Sequence, residues 1–230
     1  MNCSSVTIYG KKLVDETNMY AEQERRENPP QPKAPKWTPV DVLTMKAFIG
    51  LCFAMGILRL PSRHNYWRQN KFMFVTSFNK VMSRDRFDLI WRYLHLQDNE
   101  VVPVDEERPD KLIKIRWYLD YLDQKCSYNF IPKTNATIDE SMIKFKGRLS
   151  FRQYLPAKPT KRGVKLWNMA DSDTGYMYRF QIYTGKEDAQ EKGLSYRIVM
   201  DLCYNMLGKN LQVYFDNFYT SVELLKDLHT

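Results

Sequence analysis

The chain has 230 residues, 43% hydrophobic and 14% aromatic, with a formal net charge of +8. That length accommodates one large or two ordinary domains, each with its own core, and the composition excludes a disordered or fibrous chain. Four scattered cysteines, Cys3, Cys52, Cys126 and Cys203, show no CxxC or His/Cys spacing; they argue against a zinc site or disulfide framework and fit a reducing compartment.

Residues 1–37 lack sustained periodicity, carry the charged run AEQERRE and end in NPPQPKAPKW, so they are expected to be a disordered tail and Pro-rich linker. No basic segment followed by an apolar run opens the chain, and secretion is not expected. Thr38 then reads as a helix N-cap, with Pro39 in the first helical position and Asp41 in capping-box spacing, and an apolar helix is predicted to about Leu60, ended by Pro61 and Ser62. Its most apolar run, Ala47 to Leu58, is too short to span a bilayer, and no membrane partner is expected.

The aromatic stretch around Tyr66, Trp67, Phe72, Phe74 and Phe78 reads as core packing. Arg84 to Leu96, capped by Ser83, predicts an amphipathic helix with Phe87, Ile90, Trp91 and Leu94 on one face and His95 near its end. Residues 98–110, acidic and Pro-containing, form a loop, and Leu112, Ile115, Leu119 and Leu122 mark the next helix. His64, His95 and His229 show no ligand spacing. Residues 38–134 are therefore a helical region.

From Asn135 the period becomes strand-like: Ala136 to Phe145, Val164 to Ala170 and Tyr176 to Tyr183. Asp171-Ser-Asp-Thr-Gly175 is a hairpin turn, which makes Asp171 and Asp173 turn residues. Leu194 to Leu207 is an apolar helix closed by Gly208, Leu211 to Phe215 a short buried strand, and Thr220-Ser-Val-Glu223 a capping box opening a last helix. A helical crossover joins parallel neighbours, so the last strand should lie parallel beside the first in a mixed sheet, giving an α/β (α+β) chain with an N-terminal helical domain.

That pairing would bring Asp139 and Asp216 together. Two close carboxylates repel unless a cation lies between them, and oxygen-only ligands favour Mg²⁺ or Mn²⁺; in phosphodiester chemistry such ions stabilise the attacking and leaving oxygens. The other reading is a pair of strand-end aspartates acting as caps or turns. Nearby, eight cations lie in a window without acidic residues: Lys144, Lys146, Arg148, Arg152, Lys158, Lys161, Arg162 and Lys165. They form either a surface for an extended polyanion or a solvated charged loop. Phe151, Tyr154 and Trp167 in the window could stack on unpaired bases, although for Trp167 core packing is the plainer reading.

TIDESMIKFKGRLSFRQYLPAKPTKRGVKLWNMADSDTGYMYRFQIYTGK followed by VYFDNFYTSVELLKDL resembles the piggyBac family of DDE transposases and their domesticated relatives, as do MKAFIGLCFAMGILRLPS, MSRDRFDLIWRYLHLQDN and DKLIKIRWYLDYL upstream. The resemblance covers residues 38–230. It implies an RNase H-like fold over 135–230, a dimerising and DNA-binding role for 38–134, and metal-dependent cutting at transposon ends with joining at TTAA targets in the nucleus. By resemblance Asp139 matches the first catalytic aspartate and Asp216 the second, both holding Mg²⁺ or Mn²⁺, with the eight cations as DNA contacts. The family pattern continues through an insertion domain, a third catalytic aspartate and a cysteine-rich zinc domain, none of which lies in these 230 residues. The RNase H-like domain is thus expected to be incomplete and its cleavage activity uncertain. The alternatives are a domesticated, non-catalytic DNA-binding or dimerisation module and a folded remnant without a DNA role.

Overall fold

A computed structural model describes residues 3–68, 76–101, 110–185 and 193–229. Phe72, Phe74 and most of the acidic loop (102–109) lie outside the described residues. The chain divides into two compact units, 1–118 and 119–230.

The first unit corrects the expectation of a tail, because Cys3–Glu27 is a helix, α1. Leu13, Val14, Thr17 and Ala21 are buried, and their spacing is one helical face. Thr17 and Ala21 add little hydrophobicity to a sequence window but let neighbouring backbone come close. The Thr17 hydroxyl exchanges hydrogen bonds with the backbone of His95, both at 3.3 Å. Asn18 pairs with the backbone of Val40 in both directions, at 2.9 and 2.8 Å, and so fastens the end of the Pro-rich stretch to α1.

Helix α2, Val42–Ile57, starts later than predicted: Asp41 is the N-cap, accepting from Thr44 N at 2.7 Å. The carboxylate reaches an otherwise unpaired first-turn amide, which leaves Pro39 outside the helix. After a 3₁₀ turn at Arg63–Trp67 and the short α3, Thr76–Val81, helix α4 spans Arg84–Tyr93 under a Ser83 cap. His95 falls beyond its end, stacked on Tyr20 with ring centroids 4.0 Å apart. Met45, Phe48, Phe78, Phe87 and Ile90 form the core, whereas Trp91 is half-exposed beneath Arg63.

Helix α5, Arg116–Asn129, belongs mostly to the second unit, so the unit boundary falls before the 134/135 division drawn from sequence. Strands follow at Asn135–Lys144 (β1), Gln153–Tyr154 (β2), Arg162–Asp171 (β3) and Met177–Ile182 (β4). Next come α6, Leu194–Cys203, then β5, Gln212–Tyr214, and α7, Val222–Leu228. The five-stranded sheet runs β2-β3-β1-β5, with β4 also paired to β3. The β3–β4 turn closes through Gly175 N to Asp171 O at 2.9 Å, with Gly175 at φ 70° and the Asp171 carboxylate accepting from Thr174. α6 ends earlier than predicted, giving way to a 3₁₀ turn at Tyr204–Met206. Ser221 rather than Thr220 caps α7, accepting from Leu224 N at 3.2 Å.

Alternation in β1 turns Ala136 and Ile138 into the core, where they meet Trp167 and Met169 of β3, Ile198, Val199 and Leu202 of α6, and Tyr219 and Leu224. The same alternation leaves Thr137 and Asp139 exposed. No described helix is long and apolar enough to cross a membrane.

Candidate nucleic-acid and metal site

β1 and β5 pair in parallel, with Asn135 opposite Gln212, Ala136 opposite Val213 and Thr137 opposite Tyr214. Asp139 and Asp216 each stand two residues beyond the last of these pairs, at equivalent positions on adjacent strand lines. The sequence reasoning anticipated this parallel return. Each carboxylate is oriented by backbone: Asp139 Oδ1 accepts from Glu140 N at 2.7 Å, and Asp216 Oδ1 from Phe218 N at 3.0 Å. The Asp216 carbonyl also takes Tyr219 N at 3.1 Å, which turns the chain back beneath the strand end.

Two residues that the sequence reasoning did not single out complete this corner. Tyr219 is fully buried, and its hydroxyl donates to Glu140 Oε2 at 3.3 Å. Burial pushes the phenol well above the usual tyrosine range, and the charges of Glu140, Asp139 and Asp216 push it the same way, so all three carboxylates act on one hydroxyl. The available signals were short-range: Glu140 adjoins Asp139, and Tyr219 follows Asp216 by one turn.

The eight basic residues separate into groups. Lys144, Lys146, Arg152, Lys161 and Arg162, with Phe145, Tyr154, Pro159 and Thr160, line an open groove of about 620 Å³. Arg162 lies over the exposed Tyr154 ring, 5.1 Å from its centroid. Arg152 also donates to the carbonyls of Lys146 and Gly147, at 3.3 and 3.0 Å, bracing that wall. Arg148 is exposed outside this lining, and Lys165 lies over Trp167 and Phe218. Lys158 points to the carboxylates, 3.8 Å from both Asp139 Oδ2 and Glu140 Oε1. Phe151 and Trp167 are buried at 5% and 2% exposure, which removes both as stacking surfaces and leaves Tyr154.

Among the described residues no group of three or more His, Cys, Asp or Glu side chains is placed to hold a metal ion. Asp139, midway along β1, and Asp216, two residues past the end of β5, each offer oxygen donors oriented by a backbone N–H group, a donor set whose chemistry suits a hard divalent cation.

Residues 9–230 match the family model described as Transposase IS4. The chain is 32% identical over 191 residues to human PiggyBac transposable element-derived protein 3, covering 80% of this chain and 31% of that protein. It is 23% identical over 222 residues to human PiggyBac transposable element-derived protein 2, covering 94% and 35%. A cryo-EM structure of a piggyBac transposase synaptic complex with hairpin DNA superposes with a TM-score of 0.79 at 28% identity, covering 95% of this chain and 45% of that one. The chain therefore spans about a third of the curated relatives and under half of the solved transposase. The mixed α/β architecture, RNase H-like by this match, agrees with the fold class read from the sequence.

Proposed function

Because this chain belongs to the piggyBac transposase family, we propose that it is the DNA-engaging part of a transposase-type protein, pairing a two-aspartate metal half-site with a basic groove. The observation that supports the reading is the parallel β1–β5 register, whose last pair, Thr137 opposite Tyr214, is followed two residues later on each chain segment by Asp139 and Asp216. A bound Mg²⁺ or Mn²⁺ would supply charge stabilisation and activation of the attacking oxygen in phosphodiester cleavage and strand transfer. The chain's own contributions are separate: Asp139 and Asp216 present oxygen ligands, Tyr219 and the backbone amides of Glu140 and Phe218 orient the corner, and the groove cations meet phosphates. The exposed Tyr154–Arg162 stack offers a flat surface to an unpaired base.

In this reading residues 38–134 supply dimerisation and further DNA contact, the targets are transposon ends and TTAA sites, and the compartment is the nucleus. A third carboxylate from outside these residues completes the metal site for cleavage. The second reading, a non-catalytic DNA-binding module, is favoured by the likeness to proteins named as transposable element-derived.

Two measurements test the assignment. Calorimetric Mn²⁺ binding in the presence of DNA should be lost in both Asp139→Ala and Asp216→Ala; binding that survives both substitutions refutes the half-site. Duplex DNA affinity should fall at least about tenfold in the double variant Lys161→Glu/Arg162→Glu, with a shallower dependence on salt because fewer counterions are released. DNA binding without Mn²⁺ binding would select the non-catalytic module, and unchanged DNA affinity would remove the groove from the interface.

A further inference from the structure

Lys158 is set apart from the other basic residues by the loop that holds it. Leu155 N–H donates to Lys161 O at 2.8 Å, closing a seven-residue loop, and Lys158 N–H donates to Leu155 O at 3.2 Å, closing a tight turn inside it. Pro156 occupies the second position of that turn, where its ring presets the required φ. The turn delivers Lys158 Nζ to 3.8 Å from Asp139 Oδ2, 3.8 Å from Glu140 Oε1 and 3.3 Å from the Glu140 carbonyl oxygen. Beyond Pro159 the loop puts Lys161, and β3 then puts Arg162, on the basic groove. One short loop thus sends one cation to the carboxylates and another to the surface.

We propose that Lys158 is a built-in counter-ion of the carboxylate corner: a positioning residue that holds Asp139 and Glu140 and competes with a divalent cation for Asp139. This rests on reading Asp139 and Asp216 as a metal half-site. Asp139 and Glu140 are adjacent in sequence and both within 3.8 Å of one ammonium, so Lys158 offsets the negative charge of the pair when the corner holds no other cation. A dication approaching Asp139 Oδ2 meets the positive charge of Lys158 at close range, which opposes its binding. Lys158 therefore sets metal affinity, whereas Lys161 and Arg162 set affinity for metal-free DNA.

The test uses the full 230-residue chain and Mn²⁺ alone, read by electron paramagnetic resonance of the free ion. Lys158→Met should bind Mn²⁺ at least about fivefold more tightly than the unmodified chain, and Lys158→Arg should restore the original affinity. Lys158→Gln is measured beside them, with circular dichroism, so that a folding defect in one variant does not decide the result. In metal-free solution Lys158→Met should bind a random-sequence duplex within about twofold of the unmodified chain, while Lys161→Glu/Arg162→Glu loses affinity. Mn²⁺ affinity that is unchanged or weaker in Lys158→Met and Lys158→Gln overturns the proposal. If Asp139→Ala and Asp216→Ala abolish binding in that case, the half-site stands and only the role of Lys158 falls. If no form binds Mn²⁺, the Lys158 variants included, both fall. Binding detectable only once Lys158 is replaced supports the counter-ion directly.

Discussion

The Tyr219 hydroxyl donates to Glu140 Oε2 at 3.3 Å, joining the residue beside one aspartate to the residue one turn beyond the other. The ring is fully buried against Phe215 and Phe218, so the hydroxyl and the ring make separable contributions. Tyr219→Phe keeps the ring and removes one hydrogen bond to a carboxylate, which should cost about 1–2 kcal/mol in urea denaturation. Tyr219→Ala also opens a cavity and should cost about 3–5 kcal/mol. Equal losses in the two variants would show that the hydroxyl, not the packing, dominates.

Gly163 leaves no room for a side chain between β3 and β1. A Cβ built there would lie 2.0 Å from the Ile143 carbonyl oxygen, and that obstacle is backbone in the neighbouring strand. Gly163 also pairs with Lys144 of β1 and Gln153 of β2, so both neighbouring strands are held at this point. Gly163→Ala must separate the β1–β3 ladder locally and should cost about 2–3 kcal/mol. Hydrogen exchange should quicken at Lys144 and Lys165 before it does in α6.

Much of the sheet was legible because its signals are local. Ala136 and Ile138 alternate with Thr137 and Asp139, Asp171 and Gly175 carry turn chemistry, and an apolar helix before a short strand implies a parallel return. What was hidden depends on contacts distant in sequence. α1 escaped notice because two of its buried residues, Thr17 and Ala21, are small and add little apolar weight. The inward direction of Lys158 is set by a turn around Pro156 and by carboxylates about twenty residues earlier, neither of which a count of charges can show. Phe151 lies in a run of basic and polar residues and is nonetheless buried.

Asp123 ties α5 into the second unit, alongside the Tyr176 hydroxyl, which donates to the Cys126 carbonyl at 3.2 Å. Asp123 Oδ2 accepts from Arg179 Nε at 3.2 Å and Nη2 at 3.1 Å, and its Oδ1 accepts from Phe180 N at 2.9 Å. Arg179 Nη1 meanwhile donates to the Asp201 carbonyl at 2.8 Å, tying β4 to α6. Asp123→Ala removes a charged acceptor from a guanidinium and an amide in a partly buried place, and should cost about 2–3 kcal/mol. Asp123→Asn, which keeps one acceptor oxygen, should lose less, and chemical denaturation of both variants checks the order.

Alkaline conditions should weaken the fold through Cys203, which is 2% exposed and whose thiol is pushed up to about 11 by burial. In the unfolded chain a thiol ionises near 8.5, so between these values the unfolded state releases a proton that the folded state retains. The unfolded state then binds fewer protons, and stability falls as pH rises. The contribution of Cys203 is complete below about pH 8.5 and is lost as pH climbs through about 11. Denaturation midpoints from pH 7 to 11 should therefore decline more steeply for the unmodified chain than for Cys203→Ala; any cavity cost shifts that variant by a constant amount and leaves the slope diagnostic. Parallel slopes would refute the assignment. Iodoacetamide at pH 8.5 supplies an independent reading: Cys52 and Cys126, each only partly buried, should be modified first, and Cys203 only at the rate of unfolding.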